Sequence, residues 1–217
     1  MITVFGGQTS RSLRVVWLME EMGLSYRVRQ VDMLSDVEDT EFLAANPAGF
    51  IPVMQDGGVT MVESIAIMEY LMARYGPTPL APAPDDPAFP AYQQFLHLGE
   101  AGLATLMMVP LVSRFLAPEA ERQNWGAGWA LQAAERRLKL VRRQLARSPY
   151  LAGETFTAAD ISVTYALELG RNHAGIVLGE AEQAYVARNR DRPGYQRAMA
   201  ACHATRNWDA RSAAQNR

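Results

Sequence analysis

The sequence predicts a two-part protein, an N-terminal α/β unit followed by an all-α unit. Short β-type runs occur only within the first 62 residues. A stretch with six prolines in fifteen residues, 76–90, then interrupts the pattern, as a stiff linker does. Every later periodic segment has helical spacing. We therefore expect an α/β domain over 1–76, a proline-rich linker over 77–87 and an all-helical domain over 88–217.

The first unit begins with a strand, a helix and a second strand. Residues 2–5 form a short apolar run that closes at two glycines, which predicts a strand. Apolar residues then repeat at helical spacing from Val15 to Met22, with Arg14 expected on a polar face, and Gly23 predicts the helix end. Residues 26–32 alternate as in a strand. This order predicts a βαβ unit whose two strands are parallel.

A hairpin and another helix complete the first unit. Two β-type runs flank Asp56-Gly57-Gly58 within 51–62, a strong hairpin signal. Residues 63–76 then carry one apolar helical stripe that ends at a glycine. The predicted order is β-α-β, a loop segment, and β-β-α.

The second unit is predicted to be entirely helical. Residues 88–116 form one long helical pattern in which Pro110 predicts a kink. Apolar residues that repeat at helical spacing from Leu131 to Leu145 predict another long packed helix. Trp125 and Trp129 lie four residues apart on a helix and are expected to be packed. Thr157 followed by Asp160 three residues later predicts a helix start close to a capping box. A final helix is expected to begin near Pro193.

The charge, the cysteine content and the lack of long apolar runs limit the kinds of function that the sequence suggests. The formal net charge of −2 gives no indication of binding to nucleic acid or to an anionic membrane. The charge is uneven, since 1–76 carries 5 Arg and 10 Asp or Glu (net −5) and 77–217 carries the remaining 16 basic and 13 acidic residues (net +3). Cys202 is the single cysteine, so no internal disulfide forms. No signal peptide and no apolar run of membrane-spanning length are recognised, and a cytoplasmic location is expected.

Three hydroxyl side chains, Thr9, Ser10 and Ser12, crowd one turn before the first helix. One interpretation is helix capping, the usual role of Ser and Thr at such a position. The other is ligand binding, because the turn follows the first strand of a βαβ unit and lies at the positive end of a helix, where anions are stabilised. The residues alone leave both interpretations open.

Two further segments carry the same ambiguity. The stretch "NPAGFIPV", 46–53, is either an ordinary loop or a loop with a cis Ile51-Pro52 bond that turns the backbone of Ile51 toward a peptide-like ligand. The stretch "VES", 62–64, is either a capping sequence or a site in which Ser64 meets an anion and Glu63 meets an ammonium group.

Taken together, these segments resemble the cytosolic glutathione S-transferases, in their bacterial serine-type form. The resemblance rests on "SRSLRVVWLMEEMGLSY", "NPAGFIPVMQDGGVTMVESIAIMEYL", the proline-rich linker, "YLAGETFTAADISV" and "RPGYQRAMA", which cover almost the whole chain. It implies a thioredoxin-like first domain and a helical second domain. It also implies glutathione as cosubstrate, no metal, and a homodimer with no nucleic-acid or membrane partner.

The resemblance assigns roles within the glutathione site. Ile51, before Pro52, would pair its backbone with the cysteinyl part of glutathione. Ser64 would bind the γ-glutamyl carboxylate and Glu63 would assist with the amino group. The family often has a basic residue where this chain has Phe50, and the preceding segment is acidic, so Arg11 is a candidate contact for the glycyl end.

The resemblance also implies the chemistry. Ser10 matches the family's catalytic hydroxyl, four residues before Arg14, and Thr9 and Ser12 remain alternatives. The hydroxyl would stabilise the glutathione thiolate, which then attacks a small hydrophobic electrophile. Peroxide reduction by the same thiolate, or a non-catalytic binding or adaptor role, are the alternative functions.

Several residues of the second unit are assigned to the helical core or are candidates for ligand contact. Met107, Met108 and Leu111 are expected in the helix core, and the resemblance makes them candidates to line the electrophile pocket as well. Cys202 is expected to be a buried small residue. The three histidines, His97, His173 and His203, lack the spacing of metal ligands.

Overall fold

The computed structural model describes residues 1–7, 10–33, 35–122 and 124–202. The chain forms two compact units. The first contains Met1–Pro77 together with the C-terminal segment that begins at Arg192, and the second contains Thr78–Asp191. The sequence placed the last helix with the second unit, whereas the structure groups it with the first.

A four-stranded mixed sheet forms the centre of the first unit. Its strands and the three helices between them are β1 Ile2–Gly6, α1 Ser12–Met22, β2 Tyr26–Gln30, α2 Thr40–Ala45, β3 Val53–Asp56, β4 Val59–Val62 and α3 Ser64–Tyr75. The strand order is β2-β1-β3-β4. β1 pairs with β2 in parallel, whereas β3 is antiparallel to both β1 and β4. The predicted βαβ unit and hairpin are thereby confirmed, and α2 lies in the segment expected to be a loop.

The described part of the second unit is helical except for an isolated bridge between Tyr150 and Gly153. Its α-helices are α4 Phe89–His97, α5 Thr105–Phe115, α6 Trp125–Leu145, α7 Ala158–Leu169 and α8 Glu180–Arg190, with α9 Pro193–Ala201 following in the first unit. The fold is therefore a thioredoxin-like α/β unit plus an all-helical unit, as predicted. α8 had no counterpart among the predicted elements.

The long helical pattern over 88–116 is divided differently from the prediction. A π-helical segment, Leu98–Ala104, separates α4 from α5, and Pro110 lies inside α5. The stretch Phe89–Phe115 has the length and composition of a membrane span. However, core helices of soluble proteins pass the same test, and residues such as Leu103 and Met107 are buried in the core of this unit.

Two tryptophans on α6 are exposed, contrary to the prediction that they would be packed. Trp125 is 82% exposed and Trp129 is 49% exposed. Their rings stack on each other with centroids 6.4 Å apart. The buried face of α6 is formed instead by small and aliphatic side chains, among them Ala130, Ala134 and Leu138.

The last helix, α9, packs on α1 through an aromatic contact and ion pairs. Tyr195 meets Trp17 edge to face at 4.9 Å. Arg192 binds Glu21 through two hydrogen bonds of 2.8 and 2.7 Å, although 171 positions separate them in sequence. These bonds hold the pKa of Glu21 below its usual value, although burial opposes them. Contacts with α9, with α3 and with β1 together bury most residues of α1.

The start of α7 is fixed by Asp160, as the capping pattern predicted. Its carboxylate accepts hydrogen bonds from the backbone N–H of Thr157 at 2.8 Å and of Leu151 at 2.9 Å. The hydroxyl of Tyr185 adds a third bond at 2.9 Å. Burial raises the pKa of Asp160 to about 6.

Candidate functional site

The register of the sheet brings the predicted site segments to one end of the first unit. Phe5, near the end of β1, pairs with Val53 at the start of β3, and Val53 pairs with Val62 at the end of β4. The turn after β1, the Ile51-Pro52 step before β3 and the residues that open α3 are therefore neighbours at the same sheet edge. Three loops that are distant in sequence thus form a common surface.

The turn after β1 is a network of two serine hydroxyls around Gly7. The hydroxyl of Ser12 accepts the N–H of Gly7 at 2.9 Å and lies 2.8 Å from the carbonyl oxygen of Gly7. The hydroxyl of Ser10 lies 2.7 Å from the same carbonyl and 2.5 Å from the Ser12 oxygen. Ser12 is fully buried and Ser10 is half-buried. Thr9 lies outside the described residues.

The two serine hydroxyls have only two hydrogens, which limits how many hydrogen bonds they can donate. Each hydroxyl has one hydrogen to donate, yet three oxygen–oxygen contacts of hydrogen-bond length join Ser10, Ser12 and the carbonyl of Gly7. One hydroxyl therefore donates to the carbonyl and the other donates to its neighbour. If Ser10 rotates to donate to a ligand, Ser12 retains two acceptors for its own hydrogen. The buried serine then supports the accessible one.

Close approach at this turn requires a glycine at position 6. A β-carbon on Gly6 would lie 2.2 Å from the Ser12 β-carbon, far inside normal contact distance. The side chain of Ser12 therefore occupies the space that any larger residue at position 6 would need. The glycine makes room for the buried hydroxyl that the network depends on.

The start of α3 combines a buried hydroxyl with an unusual backbone. Ser64 is 2% exposed, and its hydroxyl accepts a hydrogen bond of 3.2 Å from Nη1 of Arg14. Arg14 is fully buried, contrary to the expectation that it lies on a polar face. Glu63 is exposed, makes no side-chain capping bond and has φ of 69°. It is the one non-glycine residue with positive φ in the described ranges, and such residues cluster at functional sites.

The loop before β3 is held by an asparagine. The bond between Ile51 and Pro52 is cis, as predicted, and a second cis bond joins Gly76 to Pro77. The side-chain amide of Asn46 donates to the carbonyl of Phe50 at 2.7 Å. Its oxygen accepts the N–H of Ala48 at 3.1 Å. Among the described residues, no backbone hydrogen bond outside the helices and strands involves Ile51.

The acidic segment at the start of α2 forms ion pairs with Arg29 of β2. Arg29 binds Asp39 through both terminal nitrogens, one of them at 2.7 Å, and also contacts Glu41 at 3.3 Å. The hydrogen bond from Arg29 lowers the pKa of Asp39. The guanidinium of Arg29 is therefore already engaged in ion pairs within the first unit. Phe50 is 38% exposed.

The candidate electrophile residues lie in the second unit and differ in exposure. Met107 and Leu111 are buried, whereas Met108 is half-buried. Met107 packs directly against Gly170, where a β-carbon would lie 2.8 Å from the methionine sulfur. Cys202 is buried, as predicted, and burial raises the pKa of its thiol to about 12. His203 lies outside the described residues.

Sequence reasoning missed three residues that build the site. Gly7 binds both serines through its backbone, but glycine pairs after strands normally indicate only a turn. Asn46 was part of a recognised loop, and its Asn-Pro step is a known signal for side-chain-stabilised turns. The burial of Arg14 left no sequence signal, because arginine is usually exposed.

Comparison with known proteins gives a consistent result. A family model described as "Glutathione S-transferase, N-terminal domain" matches residues 10–74. Glutathione S-transferase 3 of Schizosaccharomyces pombe is 30% identical over 172 residues, which are 74% of this chain and 70% of that protein. Glutathione S-transferase GstB of Escherichia coli K12 is 27% identical over 168 residues, covering 75% of this chain and 80% of the relative.

Solved structures show the same similarity. A theta class glutathione S-transferase from Xanthomonas axonopodis pv. citri, with glutathione bound, has a TM-score of 0.76 and 29% identity. The match covers 91% of this chain and 96% of that structure. A ternary complex of BphK, a bacterial enzyme of the same kind, has a TM-score of 0.79 and 28% identity, covering 92% of this chain and 98% of the other.

Proposed function

Because this chain belongs to the glutathione S-transferase family, we propose that its first unit binds glutathione and that Ser10 activates the thiol for transfer to a small hydrophobic electrophile. The observation that supports this most directly is the sheet register. It gathers the Ser10 turn, the Ile51 backbone and Ser64 at one edge of the sheet. A short peptide with a thiol in its middle and a carboxylate at one end matches these three groups.

Each part of glutathione has a proposed contact. The cysteinyl backbone pairs with the N–H and C=O of Ile51, beside Pro52. The γ-glutamyl carboxylate meets the hydroxyl of Ser64 and the free N–H groups at the start of α3, where the helix dipole also favours an anion. Glu63 takes the ammonium group. Arg11, the half-buried N-cap residue of α1, is the proposed contact for the glycyl carboxylate.

Activation of the thiol is a matter of charge stabilisation. A free thiol has a pKa of roughly 8.5, so it is largely protonated at neutral pH. A hydroxyl that donates to the sulfur and a helix N-terminus that faces it both favour the thiolate. Ser10 supplies the hydroxyl donor and α1 supplies the helix N-terminus. The buried Ser12 hydroxyl holds Ser10 in place through their hydrogen bond. The thiolate then forms a bond to an electrophilic carbon and the leaving group departs with the electron pair.

The electrophile is proposed to bind against the helical unit. Met108 is the most exposed of the three candidate electrophile contacts, whereas Met107 and Leu111 are buried in the second unit.

The chain acts as a homodimer, and the charge split of −5 against +3 is compatible with pairing of unlike units. A detoxifying role in the cytoplasm fits a transferase of this type.

Two assays test the proposal. The protein is passed over immobilised glutathione, and conjugation is then measured with an activated aryl chloride, from which the thiolate displaces chloride. We expect retention and saturable turnover. Retention without conjugation, but with reduction of an organic hydroperoxide by two glutathiones to give an alcohol, water and glutathione disulfide, would favour the peroxidase alternative. Retention without either activity would favour a binding or adaptor role, and no retention would contradict the proposal.

A further inference from the structure

The face of α5 that carries the candidate electrophile contacts continues to an aromatic side chain at the end of the helix. Leu111 and Phe115 follow Met108 three and seven residues later, so the three side chains lie along one face. Leu111 is buried, whereas Met108 and Phe115 are half-buried. The half-buried members of this face are accessible to a hydrophobic ligand.

A short π-helical segment, Gly170–Ala174, packs against this part of α5. His173 of that segment meets Phe115 edge to face, with ring centroids 6.3 Å apart. Turns of π-helix are rare and occur frequently at functional sites. The ring of Phe115 therefore lies where α5 meets a segment of unusual backbone geometry.

Arg114 also contacts the ring of Phe115. Its guanidinium carbon lies 5.4 Å from the ring centroid, which is a cation–π distance. Arg114 is exposed, and in the part of the chain that the structure describes no carboxylate pairs with it. The planar guanidinium still presents its N–H donors at its edge, where an anion binds.

The charged groups around His173 come from α5, from α7 and α8, and from its own segment. α5 contributes Arg114, and the π-helical segment contributes Arg171. Glu168 of α7 pairs with Arg171 at 4.0 Å and with Arg190 of α8 at 3.5 Å. Because two arginines share this one carboxylate, positive charge exceeds negative charge here, and protonation of His173 adds to the excess.

We propose that Phe115, Arg114 and His173 form a subsite for aromatic electrophiles that carry an anionic group. The ring of Phe115 packs against the aromatic ring of the electrophile, and Arg114 and protonated His173 bind the anionic substituent. The inference rests on the proposed function and narrows its electrophile to a chemical class. The reaction itself is unchanged: the thiolate forms the C–S bond, and the leaving group departs with the electron pair.

A matched pair of aryl chlorides tests the subsite. Both compounds are activated by two nitro groups, and one carries a carboxylate para to the chlorine where the other carries a carboxamide. The measured quantity is the carboxylate-to-carboxamide ratio of kcat/KM, with each value divided by the uncatalysed rate with glutathione at the same pH. Because both reactions need the same thiolate, changes in thiol ionisation or in the amount of folded enzyme cancel in this ratio.

We expect the wild type to prefer the carboxylate at acid pH. Arg114→Gln and His173→Gln should each lower the ratio by about threefold or more, because each removes a charged donor to the anion. Arg114→Lys should retain most of the preference. Between a pH of about 5 and about 8, where histidine loses its charge, the ratio should fall in the wild type but not in His173→Gln. The exposed-site controls His97→Gln and Arg136→Gln should leave the ratio at its wild-type value.

The outcomes separate the subsite from the proposed function. Arg114 is exposed, so Arg114→Gln tests the subsite even if His173→Gln does not fold. The inference would be overturned, with the proposed function intact, by a wild type that conjugates both compounds without preference. Equal losses for both compounds in Arg114→Gln would overturn it in the same way. A wild type that conjugates neither compound would contradict the proposed function, and the inference with it.

Discussion

Removal of the Ser10 hydroxyl is the perturbation for which the structure allows the most detailed prediction. Ser10 is the accessible member of the serine pair, 2.7 Å from the carbonyl of Gly7 and 2.5 Å from the Ser12 hydroxyl. In Ser10→Ala, the glutathione thiolate loses a donor, whereas Ser12 still binds both backbone groups of Gly7. The fold should therefore tolerate the change.

The expected magnitude follows from the strength of such a bond. A hydrogen bond to a charged group contributes about 1.5–3 kcal/mol, and about 1.4 kcal/mol corresponds to one pKa unit. The apparent pKa of bound glutathione should rise by roughly one to two units. Turnover at neutral pH should fall on the order of tenfold or more, and the loss should shrink as the pH rises, because the thiolate then forms without help. Affinity for the thiol form should be nearly unchanged.

The assay is the pH dependence of kcat/KM for Ser10→Ala, with Ser12→Ala as the matched control. Ser12→Ala leaves the buried N–H of Gly7 without its hydroxyl acceptor, so we expect it to cost about 1–3 kcal/mol of stability while shifting the pH profile less. If Ser10 only caps the helix, Ser10→Ala should lower stability by ~1 kcal/mol and leave the profile unchanged. An unchanged profile would refute the reasoning, and the test would then move to Thr9→Ala.

The remaining predictions concern binding, assembly and stability. Glu63→Gln and Ser64→Ala should each weaken glutathione binding by about 1.5–3 kcal/mol; calorimetric titration with the exposed-site control Asp85→Asn decides, and unchanged affinity in both would remove the proposed γ-glutamyl site. Light scattering at micromolar concentration should give a dimer mass, and a monomer mass would count against the homodimer. The pKa of Glu21 is lowered by Arg192, so its contribution to stability should be present above a pH of roughly 4.3, the pKa of an unperturbed glutamate, and should decrease as the pH falls below that value. Denaturant titrations of wild type and Glu21→Gln should therefore converge at acid pH, and a constant difference would contradict the assignment.

Local pattern was sufficient to predict the sheet and most helices. The strands and the hairpin at Asp56-Gly57-Gly58 followed from alternation and turn chemistry, which act over neighbouring residues. The helix Thr40–Ala45 was missed because six residues in an acidic segment are too few to show a helical period. The partner of the last helix was also missed, because the Arg192–Glu21 contact joins positions 171 apart.

The segments of the candidate site were predictable from the sequence, but the contacts that hold those segments in place were not. Ser10, Ile51 and Ser64 were identified through a family resemblance, and the structure brings their segments to one sheet edge. The burial of Arg14 was not predictable, because its charge suggested a polar face and only the position of α3 reveals its partner. The exposure of Trp125 was missed for the opposite reason, since an aromatic side chain suggests a core and alanines fill that role on α6.

The central claim is that this chain binds glutathione with its thiol ionised at neutral pH. Ultraviolet titration of the wild-type complex tests it most directly, because the thiolate absorbs where the thiol does not. The account predicts that the bound thiol titrates at least one unit below the roughly 8.5 of a free thiol. A titration curve of the complex that overlays that of free glutathione would contradict it.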